Sequence, residues 1–370
     1  MQNKTPSIDV IVVLYNHARF VEFMMEGLVR IAYPREAMTV HIVDNASTDG
    51  SIDAVKAFIA AHEHRLPKTL IYEPGKNLGF SGGNNLIMRG SKADYVYLCN
   101  PDAAFEADTL AEAVAVAESH SNAASVQSML VLAQDTSKIN SIGNNIHFAG
   151  FGYCHGNGDP IASAPNDVRQ TSYASGAGAL YRVSALHRVG IFDEELFAYH
   201  EDLDLGWRFL IGGFDNVLAP KSILYHHFEF SRSISKWYLM ERNRGIVLFA
   251  LYRIPTLILL LPGILAIEIA TWLFALKGGW VREKAKADAW FFRASSWRYI
   301  AKKRREVAGT RGKGQGSEVR EGRRDGEILK RFVPVIAHQE IENGFINNVA
   351  NPLMRVYFFI AKAIVSLLRV

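Results

Sequence analysis

Carboxylates gather at three stations in fixed order along the chain. Asp44 and Asp49 lie in Val43-Asp44-Asn45-Ala46-Ser47-Thr48-Asp49-Gly50-Ser51, Asp102 ends Cys99-Asn100-Pro101-Asp102, and Glu201, Asp202 and Asp204 crowd into His200-Glu201-Asp202-Leu203-Asp204-Leu205-Gly206-Trp207-Arg208. A carboxylate can accept a hydrogen bond from a ligand N–H, hold a cation or remove a proton. Three within four residues repel one another, which calls for a metal, a cation or a reacting proton nearby. The plainer reading of the third station is an acidic first turn of a helix. Asp49-Gly50-Ser51 also reads as a turn opening a helix, and Asn-Pro-Asp alone is an ordinary turn.

The elements that must position these groups follow from the apolar pattern. Strands are expected at 8–15, 39–44, 69–73 and 94–99, alternating with helices at 18–31, 51–63, 82–90 and 107–119. That alternation predicts an α/β fold with a mostly parallel twisted sheet and helices on both faces, followed past about residue 124 by an irregular half with antiparallel insertions. Open sheets of this kind bind ligands at the carboxyl ends of their strands, which is where Asp44 and Asp102 fall. The glycine-rich stretch Asn77 to Asn85 lacks the G-x-G-x-x-G spacing, so a dinucleotide cofactor is not expected.

Taken together, the stations resemble the family 2 glycosyltransferases of the GT-A fold. The resemblance runs over about residues 8 to 245: Ile11-Val12-Val13-Leu14-Tyr15-Asn16, Asn77-Leu78-Gly79-Phe80-Ser81-Gly82-Gly83-Asn84-Asn85, Gly190-Ile191-Phe192-Asp193-Glu194, His226 and Arg242-Asn243 join the three stations. The combination looks most like the bacterial rhamnosyltransferase branch of cell-surface polysaccharide assembly. It implies a sugar-nucleotide site in which Asp44 accepts the ring N–H of a uracil or thymine, with Tyr15 and the backbone near Val13 walling the base. Further donor contacts are implied for Asn16, Asn45, Asp49, Asn77, Gly79, Phe80, Asn85 and Asn100, with Arg242 and Asn243 on the diphosphate. It also implies a divalent cation, Mn²⁺ or Mg²⁺, on Asp102 and His226; the family's Asp-x-Asp stands here as Asn100-Pro101-Asp102, leaving one anionic ligand. Asp202 is the implied general base, with Glu201 orienting it or the acceptor. Asp204 and Arg208 are expected to brace the helix, and Trp207 to serve as core or sugar platform.

The chain of 370 residues is 49% hydrophobic and contains only Cys99 and Cys154, which suits a reducing compartment rather than a disulfide framework. No signal peptide is expected from the short polar start. Residues 1–240 hold 18 Lys plus Arg against 26 Asp plus Glu, whereas residues 241–370 hold 23 against 11. A basic tail interleaved with long apolar runs points to an anionic membrane surface and not to nucleic acid. Ile254 to Leu276 is long enough to span a bilayer, but Pro255 and Pro262-Gly263 suggest a re-entrant or in-plane broken helix. Leu353 to Val370 sets Arg355, Lys362 and Arg369 seven apart, as on a helix for the bilayer interface. The expected organisation is a catalytic domain over 1–245, an apolar membrane-associating segment over 246–301, a basic flexible linker over 302–331 and an amphipathic helical region over 332–370.

The expected activity is inverting, metal-dependent transfer of a sugar, rhamnose among the candidates, from a UDP- or dTDP-sugar to a hydroxyl of a polyprenyl-diphosphate-linked or other lipid-linked glycan. The expected location is the cytoplasmic face of the inner (plasma) membrane. Sugar nucleotidyl transfer and a catalytically silent glycan-binding scaffold are the competing classes, and the oligomeric state, homodimer included, is left open.

Overall fold

The computed structural model describes residues 5–229, 236–311, 322–335 and 346–368, and the chain divides into two compact units. The first unit comprises the residues up to 144 together with 154–197 and 214–228. Its sheet opens with β1 (Ile8–Leu14), β2 (Met38–Asp44), β3 (Lys68–Tyr72) and β4 (Tyr95–Cys99), with α1 (Val21–Arg30), α2 (Ser51–His62) and α3 (Gly79–Met88) between them. β1 lies parallel to both β2 and β4, and β2 lies parallel to β3. β1 reads Ile-Asp-Val-Ile-Val-Val-Leu and is buried along nearly all its length, as a strand covered on both faces must be. The expected strand ends hold to within one residue. The glycine-rich stretch is itself helix, since α3 begins at Gly79, three residues before the expected start.

The second half of the sheet is mixed. After β5 (Ala103–Phe105) and α4 (Thr109–Ser119) come β6 (Ala123–Leu132) and β7 (Ile139–Ser141), then a separate ribbon of β8 (Asn144–Ile146) and β9 (Gly152–Cys154). β10 (Arg169–Thr171), β11 (Gly178–Arg182), α5 (Val183–Val189) and β12 (Asp215–His226) follow. The order is β10-β12-β6-β11-β4-β1-β2-β3, with β5 on β12 and β7 on β6. β11 runs antiparallel to β4 and β6, the antiparallel insertion expected past residue 124.

The second unit takes residues 145–153, 198–213 and 229 onward. α6 (Glu201–Ile211), which carries the third carboxylate station, falls in this unit with the C-terminal helices. Burial explains it. Trp207 packs edge-on against Tyr252 and Phe332 at 4.6 and 4.7 Å between ring centroids, and the Lys303 ammonium lies 2.8 Å from Asp204. Trp207 is thus core, and Asp204 with Arg208, 2.8 Å apart, braces the helix as expected.

α7 (Lys236–Leu251), α8 (Ile254–Gly278), α9 (Val281–Trp290) and α10 (Ala294–Thr310) follow. α8 is one helix of 25 residues that runs through Pro262, so the expected break does not occur; Pro255 sits in its first turn, where a missing N–H costs nothing. Residues 302–310 form the end of α10 and Asp325–Ile328 a short α11, so the linker expected over 302–331 is helical at both ends, and its middle, 312–321, lies outside the described residues. α12 (Asn351–Leu367) is the expected C-terminal helix, with Arg369 outside the described residues. α8 and α12 are long and apolar enough to cross a membrane by length and composition. Both also pack: Gly263 leaves room for the Tyr357 ring, whose hydroxyl donates to Leu259 O at 2.8 Å.

Candidate functional site

In the first unit, the strand ends carry two prepared stations. Asp44 closes β2, is buried, and accepts from Ser47 N at 3.2 Å to each oxygen, so its carboxylate is oriented by its own turn. Across from it, Asn16 sits in the left-handed region at φ 58° and accepts at 2.8 Å from Thr48 N, while Asn16 N donates to Ser47 Oγ at 3.0 Å. Tyr15 beside it is 47% exposed and Val13 is buried, an open ring next to a covered strand.

Asp49, expected as a nucleotide contact, ties this loop together: it accepts from the Ser51 hydroxyl, from Ala18 N at 2.9 Å and from Ser51 N at 3.0 Å, and these bonds hold its carboxyl below its ordinary pKa despite the opposing desolvation, the largest single influence. Asn45 is likewise committed, donating at 2.9 Å to Gly79 O. Gly79 has φ 71° and a side chain there would collide with Phe197 O and its ring, so only glycine fits the start of α3. Asn77 caps the turn by accepting from Gly79 N at 2.8 Å, and the Phe80 ring meets Phe192 at 5.9 Å. Asn85 is buried and its Nδ2 donates to Phe192 O at 2.8 Å and Glu194 Oε1 at 3.1 Å, which fixes the 192–194 turn.

The second station pairs Asp102 with His226. β5 and the end of β12 are antiparallel partners, with His226 opposite Ala103, and His227 N donates to Asp102 O at 2.9 Å. This places His226 Nε2 3.3 Å from Asp102 Oδ1, both side chains buried. Asn100 Nδ2 lies 3.4 Å from the same Nε2. His227 turns to the other side and packs on Phe20 and Phe23 at 5.1 and 4.9 Å. An octahedral cation with bonds of about 2.1 Å sets neighbouring ligands about 3 Å apart, so the carboxylate and imidazole are spaced as adjacent ligands of one ion. The pair suits Mn²⁺ or Mg²⁺ in type, oxygen plus borderline nitrogen. Among the described residues no group of three or more His, Cys, Asp or Glu converges, so a ligand's own oxygens and water would complete the sphere.

In the second unit, α6 presents the third station. Asp202 is half-buried and accepts from Leu203 N at 2.8 Å. Glu201 is buried, and its Oε2 finds no hydrogen bond among the described residues; burial, then the Asp202 charge, pushes its pKa well above the carboxylate range. The turn ahead of the helix is strained, with Tyr199 and His200 at φ 66° and 70°. Asn243, expected on a diphosphate, is buried and donates at 3.0 Å to Ala198 O and at 2.7 Å to Tyr199 O, while its Oδ1 accepts from Arg242 Nε and Nη2 at 3.0 and 2.9 Å. It holds that turn. Sequence reasoning missed this role because a buried asparagine on a helix carries no local signal; only the tertiary contact shows it.

The model of a family described as glycosyl transferase family 2 matches residues 9–190. An N-acetylglucosaminyl-diphospho-decaprenol L-rhamnosyltransferase, present in two strains of Mycobacterium tuberculosis, is 28% identical over 248 residues, covering 60% of this chain and 76% of that protein. Among solved structures, the mannosyltransferase PcManGT from Pyrobaculum calidifontis in complex with GDP-Man and Mn²⁺ is similar with a TM-score of 0.50 at 18% identity, covering 83% of this chain and 86% of that one. GalNAc-T7 with UDP, GalNAc and Mn²⁺ is similar with a TM-score of 0.55 at 10% identity, covering 67% and 48%. At these identities the structural likeness speaks to the fold, a GT-A arrangement.

Proposed function

The chain belongs to glycosyl transferase family 2 through residues 9–190, and from that premise we propose that it moves a sugar, with inversion, from a UDP- or dTDP-sugar to a hydroxyl of a lipid-linked glycan. The observation that carries the reading is the buried Asp102–His226 pair, 3.3 Å apart, at the strand ends of a GT-A sheet. A divalent cation held by that pair would offset the charge that grows on a departing diphosphate. Asp44 accepts the ring N–H of the uracil or thymine, and the exposed Tyr15 ring covers its face. Asp202 removes the acceptor hydroxyl's proton as that oxygen attacks the anomeric carbon, and one displacement inverts the configuration. Glu201, kept neutral by burial, donates a hydrogen bond that orients the acceptor or Asp202. Arg242 contributes a guanidinium to the diphosphate.

The relative's name includes a diphospho-decaprenol acceptor, which supports a polyprenyl-diphosphate acceptor and a rhamnose-type donor here. Membrane attachment is read as peripheral. Glu268, the one charge within 254–276, is bound to Arg244 of α7 at 2.6 Å and to Lys284 of α9, while Trp272 donates to Asp288 of α9 at 3.0 Å. A spanning α8 would drag polar α9 into hydrocarbon with it. The stripe of α8 that faces away from its buried residues Leu260, Gly263 and Ile267, with Ile258, Leu265 and Ile269, is exposed and suits burial in one leaflet while the basic residues of 241–370 stay with the cytoplasmic headgroups.

The test is direct. A panel of sugar nucleotides is screened for a raised melting temperature with Mn²⁺ present, and the best donor is then offered with a polyprenyl-diphosphate-linked glycan. Release of a nucleoside diphosphate together with an inverted linkage supports the proposal, and excess chelator abolishes transfer. Release of pyrophosphate instead would identify nucleotidyl transfer, and full activity in chelator would remove the cation.

A further inference from the structure

We propose that Asn140 is a positioning residue that sets the tautomer of His226, and so aims the imidazole lone pair at the side where Asp102 stands. The inference rests on the reading of Asp102 and His226 as cation ligands and adds to it the group that makes the imidazole a ligand at all.

β7 and β12 flank β6 on its two edges, so side chains on one face of the two outer strands have about 10 Å to cross. Asn140 and His226 bridge that gap: Asn140 Oδ1 lies 2.9 Å from His226 Nδ1, and both residues are buried, Asn140 completely. A carbonyl oxygen can only accept, so Nδ1 must carry the proton and donate it. In the neutral imidazole Nε2 is then a bare lone pair. The contact on the other nitrogen agrees, because Asn100 Nδ2 can only donate, and it sits 3.4 Å from Nε2. With that tautomer, Nε2 and the Asp102 carboxylate present two electron-rich atoms to each other at 3.3 Å, an arrangement that a shared cation resolves.

What keeps the Asn140 amide the right way round is a turn remote in sequence. Asn140 Nδ2 donates to Asn157 Oδ1 at 3.2 Å, which leaves Oδ1 for the imidazole. Asn157 lies between Gly156 and Gly158, both left-handed at φ 76° and 84°, and the turn is tied to β7 by Gly158 N to Ile139 O and Ile139 N to Asp159 O, each 2.9 Å. The relay therefore runs Asn157, Asn140, His226, in the manner of the outer partners that orient ligating imidazoles elsewhere.

The full chain is titrated with Mn²⁺ alone and again with UDP present, free Mn²⁺ being read by electron paramagnetic resonance, and each variant is also melted without metal. Asn140→Ala should weaken Mn²⁺ binding about 10- to 100-fold, and Asn140→Asp, which keeps the accepting oxygen, should bind at least tenfold more tightly than Asn140→Ala. Asn157→Ala, at the partly exposed end of the relay, should weaken binding less than Asn140→Ala; if Asn140→Ala does not fold, a parent-like Mn²⁺ affinity in Asn157→Ala overturns the inference and a weakened one supports it. Parent-like affinity in a folded Asn140→Ala, or equal loss in Asn140→Ala and Asn140→Asp, overturns it too. Should His226→Ala itself bind Mn²⁺ like the parent, the underlying cation reading fails; should His226→Ala lose the metal while Asn140→Ala keeps it, only the relay fails.

Discussion

Asn243 holds Tyr199 by its backbone, donating Nδ2 to the Tyr199 carbonyl at 2.7 Å while that residue sits at φ 66°. Left-handed backbone costs a non-glycine residue about 1–3 kcal/mol, so the turn ahead of Asp202 persists only because something fixes it. Asn243→Ala should strand two carbonyls, lower stability by about 1–3 kcal/mol and cut turnover. Asn243→Asp should do the same, since a carboxylate has no proton to donate. Parent-like turnover in both variants would show that the turn does not depend on Asn243.

Asp202→Asn keeps the shape of the side chain and removes its basicity. Turnover should fall roughly 10²- to 10⁴-fold, the usual range for a general base, with sugar-nucleotide affinity nearly unchanged. A variant that turns over normally would exclude Asp202 from proton removal.

The second unit should respond to pH through groups of opposite sign. Burial lowers the pKa of both His147 and His200 to about 4. Each therefore contributes stability above its unfolded value near 6.5, lost as pH falls through the window down to about 4. Glu201 is raised, so its contribution is complete below the unfolded carboxylate value and is lost as pH rises through the raised one. Glu201→Gln should then melt higher than the parent at pH 7 to 8, with the difference closing near pH 4. A variant that melts no higher at neutral pH would mean that Glu201 is not strained by its burial.

The exposed apolar stripe of α8, the proposed membrane face, can be changed without touching the core. Ile258, Leu265 and Ile269 are 64%, 53% and 64% exposed on α8, and each would bury about 1.5–3 kcal/mol of apolar surface in lipid. Replacing all three by Ser should release the protein from anionic liposomes while leaving its melting temperature in place. Cosedimentation equal to the parent would discard the in-plane reading. Deleting α12 is a poor substitute, because Phe358, Ala361 and Val365 are buried and Phe358 stacks on Phe148 at 5.3 Å, so the deletion should also destabilise the unit.

The first four strands and their helices were legible in the sequence because a parallel sheet buried on both faces writes itself as short apolar runs, as in Ile8–Leu14 and Tyr95–Cys99. Asp44, Asp102 and His226 were read as a set from their order along the chain, and the structure seats Asp102 3.3 Å from His226. What the sequence hid were side chains whose partners lie far away. Asn85 and Asn243 looked like ligand contacts, yet their amides bind the turns at 192–194 and 198–199. Asn140 gave no signal, since its partner His226 is 86 residues distant. Pro262 suggested a break, but in an exposed helix the lost hydrogen bond was not enough to end α8.

The pairing of Asp204 with Lys303 has a consequence for how the molecule comes off the ribosome. Lys303 and Phe332, which pack against α6, are made about a hundred residues after it, some 5–20 s later at ordinary synthesis rates. The sheet of the first unit, the proposed donor platform, can settle while translation continues, with its late strand β12 complete at His226. The helix that carries Asp202 has to wait for its buttress. Nascent chains cut short before α10 should therefore be able to hold a sugar nucleotide yet be unable to consume it.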